Sequence, residues 1–108
     1  MLNSTEELKS FILQQLEDKK AENITVIDLE SKTPIAKYMI FATGRSTKNI
    51  SAIAEHISTE IKRNSTISTA IEGLGNSAWV VLDTGSIIIH LFHPEARDHY
   101  RLEEMWNK

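Results

Sequence analysis

The sequence predicts a single α/β domain over residues 1–108, with the element order αββαβββα and a mixed five-stranded sheet flanked by helices. Three observations predict it. Two segments, Leu8 to Leu16 and Ile50 to Ile61, repeat apolar residues at helical spacing. Short β-branched runs lie between and after them. The segment AWVVLDTGSIIIHLF, from Ala78 to Phe92, then reads as a hydrophobic hairpin.

The elements follow in order. Ser4-Thr5-Glu6-Glu7 has the pattern of a capping box, and Leu8, Phe11, Ile12 and Leu16 continue it, which gives a helix over residues 5–20. Ile24 to Leu29 is a β-branched strand, followed by a polar loop around Ser31 to Pro34. Lys37 to Thr43 is a second strand, broken by Thr43-Gly44-Arg45-Ser46. Ile50, Ile53, Ala54, Ile57 and Ile61 form the stripe of a second helix, residues 47–63, which Asn64 and Ser65 end. A short strand near Ser68 to Glu72 leads through Gly73 to Ser77 into the hairpin. Pro94 suits the first turn of a third helix running to about Asn107.

The hairpin is the most informative segment. A two-residue turn at Thr84-Gly85 sets Leu82 opposite Ile87, Val81 opposite Ile88, Val80 opposite Ile89 and Trp79 opposite His90. Strand alternation then sorts the side chains into two faces. Val80, Leu82, Ile87, Ile89 and Leu91 form an aliphatic face that belongs against a core. Trp79, Val81, Ile88, His90 and Phe92 form the other, with Asp83 and Ser86 towards the turn. Aromatic residues with a polar handle are enriched at binding surfaces, whereas α/β sheets also bury a second face beneath helices. Both readings fit the hairpin taken alone.

Composition narrows the function classes. The chain is 41% hydrophobic and 25% charged, as expected of a globular protein with its own core. The lack of cysteine excludes disulfides, thiolate metal sites and a cysteine nucleophile, and fits a reducing cytosol. No apolar run approaches the roughly 20 residues of a membrane span. The start, MLNSTEELKSF, has no basic region followed by an apolar stretch, so neither a signal peptide nor a membrane role is expected. A net charge of −3 disfavours phosphate-backbone binding as the main activity and predicts no direct nucleic-acid specificity.

Candidate chemistry is thin. Gly44-Arg45-Ser46 before a helix offers backbone N–H groups, with Arg45 and Lys48 nearby, but lacks the glycines and the Lys-Ser/Thr pair of a P-loop. Metal-dependent nucleotidyl transfer needs converging carboxylates. Asp28 and Asp83 stand singly at strand ends, and Asp28-Leu29-Glu30 has the spacing but runs into a loop. His56, His90, His93 and His99 form no zinc motif, and no Gly-x-Ser-x-Gly elbow is present. No metal, cofactor or catalytic residue is therefore expected, and a divergent metal-dependent nucleotidyltransferase is the runner-up reading. On the last helix Arg97 and Arg101 lie four apart, while Tyr100, Leu102, Met105 and Trp106 supply apolar contacts.

The ordered set Thr43-Gly44-x-Ser46, Ile53-Ala54-Glu55, Glu72-Gly73, Trp79-Val80-Val81-Leu82-Asp83-x-Gly85, Ile89-His90 and Arg97-x-x-Tyr100-x-Leu102-Glu103-x-x-Trp106 resembles the ribosomal silencing factor, or Iojap-like, family across essentially the whole chain. The resemblance implies a nucleotidyltransferase-like fold without catalytic carboxylates, and a cytoplasmic translational repressor rather than an enzyme. It further implies binding to ribosomal protein fourteen of the large subunit, steric blockade of small-subunit joining, and a chain that can pair as a homodimer. Trp79 matches the family's partner-binding tryptophan, and the hairpin register extends that patch to Val81, Ile88, His90 and Phe92. Arg97 and Tyr100 match the C-terminal motif and complete the implied partner-binding set. The chain departs from the family pattern at Lys37, Arg45, Thr84 and Ser86, which makes the hairpin turn less acidic and less apolar.

Overall fold

A computed structural model describes residues 2–29, 36–73 and 78–94. In chain order they form α1 (Thr5–Asp18), β1 (Glu22–Asp28), β2 (Tyr38–Thr43), α2 (Thr47–Asn64), β3 (Ala70–Glu72), β4 (Trp79–Asp83) and β5 (Ile87–Phe92). The expected third helix lies beyond Pro94, outside the described residues.

Local chemistry sets the ends of both helices. Ser4 caps α1, its Oγ accepting from the Glu7 N–H at 3.1 Å and donating to Glu7 Oε1 at 3.3 Å. The helix closes in a Schellman arrangement: the Lys20 N–H donates to Glu17 O and the Ala21 N–H to Leu16 O, both at 2.9 Å. Lys20 occupies the left-handed position of that motif, with φ 60°, where glycine is usual. Helix α2 is capped by Ser46, whose Oγ accepts from the Asn49 N–H at 3.0 Å. Gly44 makes the tight entry to α2 feasible, because a Cβ there would lie 2.7 Å from Asn49 Oδ1 and 2.9 Å from Ile50 Cγ1.

The sheet order is β1-β2-β5-β4-β3. β2 and β5 run parallel at its centre; the other neighbours are antiparallel. The hairpin register differs from the expected one by two residues. Leu82 pairs with Ile89, Val81 with His90, Val80 with Leu91 and Trp79 with Phe92. The two-residue turn is Gly85-Ser86, one position further along the chain. Gly85, with φ +93°, takes the first central position, as a type II′ turn requires. Thr84 closes the hairpin instead of forming its tip: its N–H donates to Ile87 O at 3.0 Å, while its hydroxyl donates to that oxygen at 2.8 Å and accepts from the Ile87 N–H at 3.1 Å. Asp83 Oδ1 accepts from the Gly85 N–H at 2.7 Å. Because side chains repeat every two residues, a shift of two leaves both predicted faces intact.

The two faces have different cores. On one, Leu8, Ile12 and Leu16 of α1 and Ile50, Ile53, Ala54, Ile57 and Ile61 of α2 pack on Tyr38, Ile40, Ala42, Val80, Leu82, Ile87, Ile89 and Leu91. Both described helices therefore cover the same side of the sheet. The other face carries a smaller cluster of Ile27, Leu29, Ala36, Met39, Phe41 and Phe92, joined by Trp79 and Ile88. Strand β2 is buried along its whole length, since both clusters use its side chains.

Burial depth separates two aliphatic neighbours on the helix side. Ile40 is 0% exposed, whereas its cross-strand partner Val26 is 38% exposed. Ile40→Ala is expected to destabilise the fold by about 2–5 kcal/mol through lost transfer energy and a residual cavity. Val26→Ala should change stability by roughly 0.5 kcal/mol or less. Urea unfolding of the two variants measures both.

Candidate protein-binding face

The second face of the sheet is built around stacked rings. Parallel pairing sets Phe41 of β2 beside His90 of β5, and antiparallel pairing sets Trp79 of β4 beside Phe92. Phe41 stacks on His90 with centroids 5.1 Å apart at 17°, and Trp79 on Phe92 at 5.5 Å and 22°. Phe92 also lies parallel to Phe41 at 6.1 Å and to His90 at 6.0 Å. Offset ring pairs at such distances add to area burial and hold one another in place.

The rings differ in depth. Phe41 and Phe92 are 0% and 1% exposed, so they are the buried members of the face. Trp79, Val81, Ile88 and His90 are half-buried and make up its accessible layer. Phe92 thus lies on the face the sequence assigns to it, but buried rather than accessible. Arg97 and Tyr100, the remaining predicted contact residues, fall outside the described residues. Phe41 joins the site without having been predicted. Alternation puts it on one face of its strand, but only the parallel β2–β5 contact brings it beside His90.

One hydrogen bond orients the accessible layer. Trp79 Nε1–H donates to His90 Nδ1 at 3.0 Å. An indole nitrogen can only donate, so Nδ1 must accept and the neutral imidazole carries its proton on Nε2. Burial pushes the His90 pKa down from 6.5 to about 4. Protonation would also set two donors against each other at Nδ1. The face is therefore neutral and apolar at its centre, with carboxylates towards one side: Glu72 is paired with Val81, and Asp83 ends β4 next to the turn.

The other candidates do not assemble. Asp28 pairs with Tyr38, whose side chain lies on the helix side, whereas Asp83 pairs with Ile88 on the ring side. The two carboxylates sit on opposite faces, and Glu30 lies outside the described residues. Among the described residues no group of three His, Asp or Glu side chains is placed to hold a metal ion. His56 bridges the helices, its Nε2 lying 2.7 Å from Gln15 Oε1.

Comparison with known proteins decides the family. The family model described as ribosomal silencing factor during starvation matches residues 2–108. This chain belongs to the ribosomal silencing factor family. It is 44% identical over 101 residues to the ribosomal silencing factor of Zymomonas mobilis, covering 94% of this chain and 76% of that protein. It is 30% identical over 98 residues to the mouse protein named mitochondrial assembly of ribosomal large subunit protein 1, covering 88% of this chain and 43% of the mouse protein. A crystal structure of a Chromobacterium violaceum protein superposes with a TM-score of 0.92 at 28% identity, covering 97% of this chain and 88% of that one. Membership matches the resemblance carried by the ordered motifs, and the structural match agrees with the α/β fold.

The half-buried His90 of this silencing-factor family member links stability to pH. The folded-state pKa of about 4 lies below the ordinary 6.5, so the unfolded chain binds more protons as pH falls from 6.5. The contribution from His90 is complete above about pH 6.5 and is lost as pH falls through 4; at pH 5 the loss is about 1–2 kcal/mol. His90→Gln retains an acceptor for Trp79 but does not titrate. Urea unfolding at pH 8 and pH 5 should show a smaller stability loss for this variant than for the wild type.

Proposed function

We propose that this chain is a translational repressor that docks the ring-stacked face of its sheet on the large ribosomal subunit, through ribosomal protein fourteen, and sterically blocks small-subunit joining. The observation that carries the proposal is a half-buried, neutral Trp79–His90 pair, bonded to each other, stacked over buried rings and bordered by Val81 and Ile88. Family membership supplies the ribosomal context, and the mouse relative is named for the large subunit. Trp79, Val81, Ile88 and His90 make direct contact, Phe92 packs against them, and Arg97 and Tyr100 add contacts of their own. The factor acts by occupancy in the cytosol, without a cofactor or a chemical step.

A stable interface of standard size takes about 800 Å² per partner, with its energy concentrated in a few large, rigid side chains. Trp79 has both the area and the fixed orientation. Trp79→Ala is expected to weaken binding to the isolated ribosomal protein by about 2 kcal/mol or more, or roughly thirtyfold. Glu55→Gln, exposed on α2 on the far side of the sheet, should bind as the wild type does. Co-sedimentation with large subunits and a subunit-joining assay test both. Unchanged binding by a folded Trp79→Ala variant would refute the proposal.

A further inference from the structure

The end of the sheet beside Trp79 and Phe92 also carries a concentration of positive charge. Gly44 N–H donates to Phe92 O at 3.0 Å, so the loop that leaves β2 towards Arg45 starts next to the ring-stacked face. Behind that loop the C-terminus of α1 meets the first turns of α2. Between them is an open cleft of about 400 Å³, lined by Asp18, Lys19, Lys20, Arg45, Asn49, Ala52 and Ile53. Its lining holds three cations and one carboxylate, in a chain whose net charge is −3. Asp18 accepts from Gln14 Nε2 at 2.9 Å, and Lys19, Lys20 and Arg45 make no ion pair among the described residues.

Lys19 and Lys20 complement the negative end of the α1 dipole, but the cations at the start of α2 have no such local role. Helix α1 begins with Glu6 and Glu7, the usual complement to the positive end of a helix dipole. Helix α2 has no acidic residue in its first turn; Lys48 stands there, with Arg45 just before the cap. Cations at that position add to the dipole's positive end rather than offset it. Lys20, in turn, occupies the left-handed backbone position that closes α1, which glycine fills without penalty. The chain keeps a long cationic side chain where backbone preference favours none.

We propose that Lys19, Lys20 and Arg45 form a second contact, holding the phosphodiester backbone of large-subunit RNA while the ring-stacked face holds the ribosomal protein. The inference rests on the reading of that face given under Proposed function. An open cleft with mobile-stemmed lysines and no aromatic platform suits backbone phosphates rather than bases, so the contact reads charge and not sequence. The cleft opens on the helix side of the sheet, at the same end as Phe92, so the RNA would reach around that end of the sheet from the ring-stacked face.

The test compares the full-length wild type, Lys20→Gly and the triple variant Lys19→Gln/Lys20→Gly/Arg45→Gln. Each is titrated against purified large subunits at several salt concentrations and against the isolated ribosomal protein. The triple variant is expected to bind subunits about tenfold more weakly near physiological salt, with its slope of log affinity against log salt reduced by about 2–3. Binding to the isolated protein should not change. Lys20→Gly alone should lower the slope by about 1 and melt no lower than the wild type. An unchanged affinity and slope for the triple variant would overturn the inference, as would an equal loss of binding to the isolated protein. Tight binding of inorganic pyrophosphate to the isolated chain, abolished in the triple variant, would overturn it in favour of a small-anion site. Failure of the ring-stacked reading would look different: wild type and Trp79→Ala would then be indistinguishable on the isolated protein.

Discussion

The parallel pairing of β2 with β5 is the contact on which the rest of the molecule depends. β1 and β2 form one antiparallel unit, and β3, β4 and β5 form another; only the β2–β5 ladder joins them into one sheet. It is anchored at both ends. Ser86 O accepts from the Lys37 N–H at 2.8 Å, and Phe92 O accepts from the Gly44 N–H at 3.0 Å. Parallel pairs need a long crossover, and here α2 and the β3–β4 segment supply it. The helix that closes the crossover is the same helix that fills the main core. Topology and burial are thus satisfied by one element.

The same ladder prepares the ring-stacked face. With Phe41 stacked beside His90, and Phe92 beside Trp79, the two half-buried rings have little rotational freedom left to lose when a partner arrives. The indole-to-imidazole hydrogen bond then removes the remaining ambiguity, since it specifies one tautomer of His90. A face built on strands is held more rigidly than one built on loops, because backbone bonds on both sides fix each Cβ. That rigidity suits the proposed action by occupancy.

Much of this was legible in the chain, and the failures have physical causes. The helix stripes, the five strands and the two faces of the hairpin followed from periodicity, which depends only on local geometry. The hairpin pairing did not. Gly85 fits either central position of a two-residue turn, and the choice between them was made by Thr84, whose hydroxyl and N–H both bond Ile87. The face assignment survived because the shift was even. Phe41 could not be added to the site from sequence, since no local signal says which strand lies parallel to β5. For the same reason the depth of Phe92 was out of reach: exposure depends on neighbours that pairing brings in. The cationic cleft was visible only in part. Arg45 and Lys48 stand near a helix start, but Lys19 and Lys20 come from an element more than two dozen residues earlier.

Charge and apolar surface are divided along the fold in a way that suits a composite target. The ring-stacked face keeps His90 neutral by burying it, so desolvating that face against a protein surface strands no charge at its centre. Lys19, Lys20 and Arg45 stand at the same end of the sheet but on its helix side, where they are exposed and remain hydrated. Had Lys20 or Arg45 stood among the rings, docking would have required their desolvation without an assured partner. Had the rings stood in the cleft, they would have widened contact with water around phosphates. Separating the two lets each proposed interaction work in the dielectric that favours it, and the Gly44 turn ties both to the same end of the sheet.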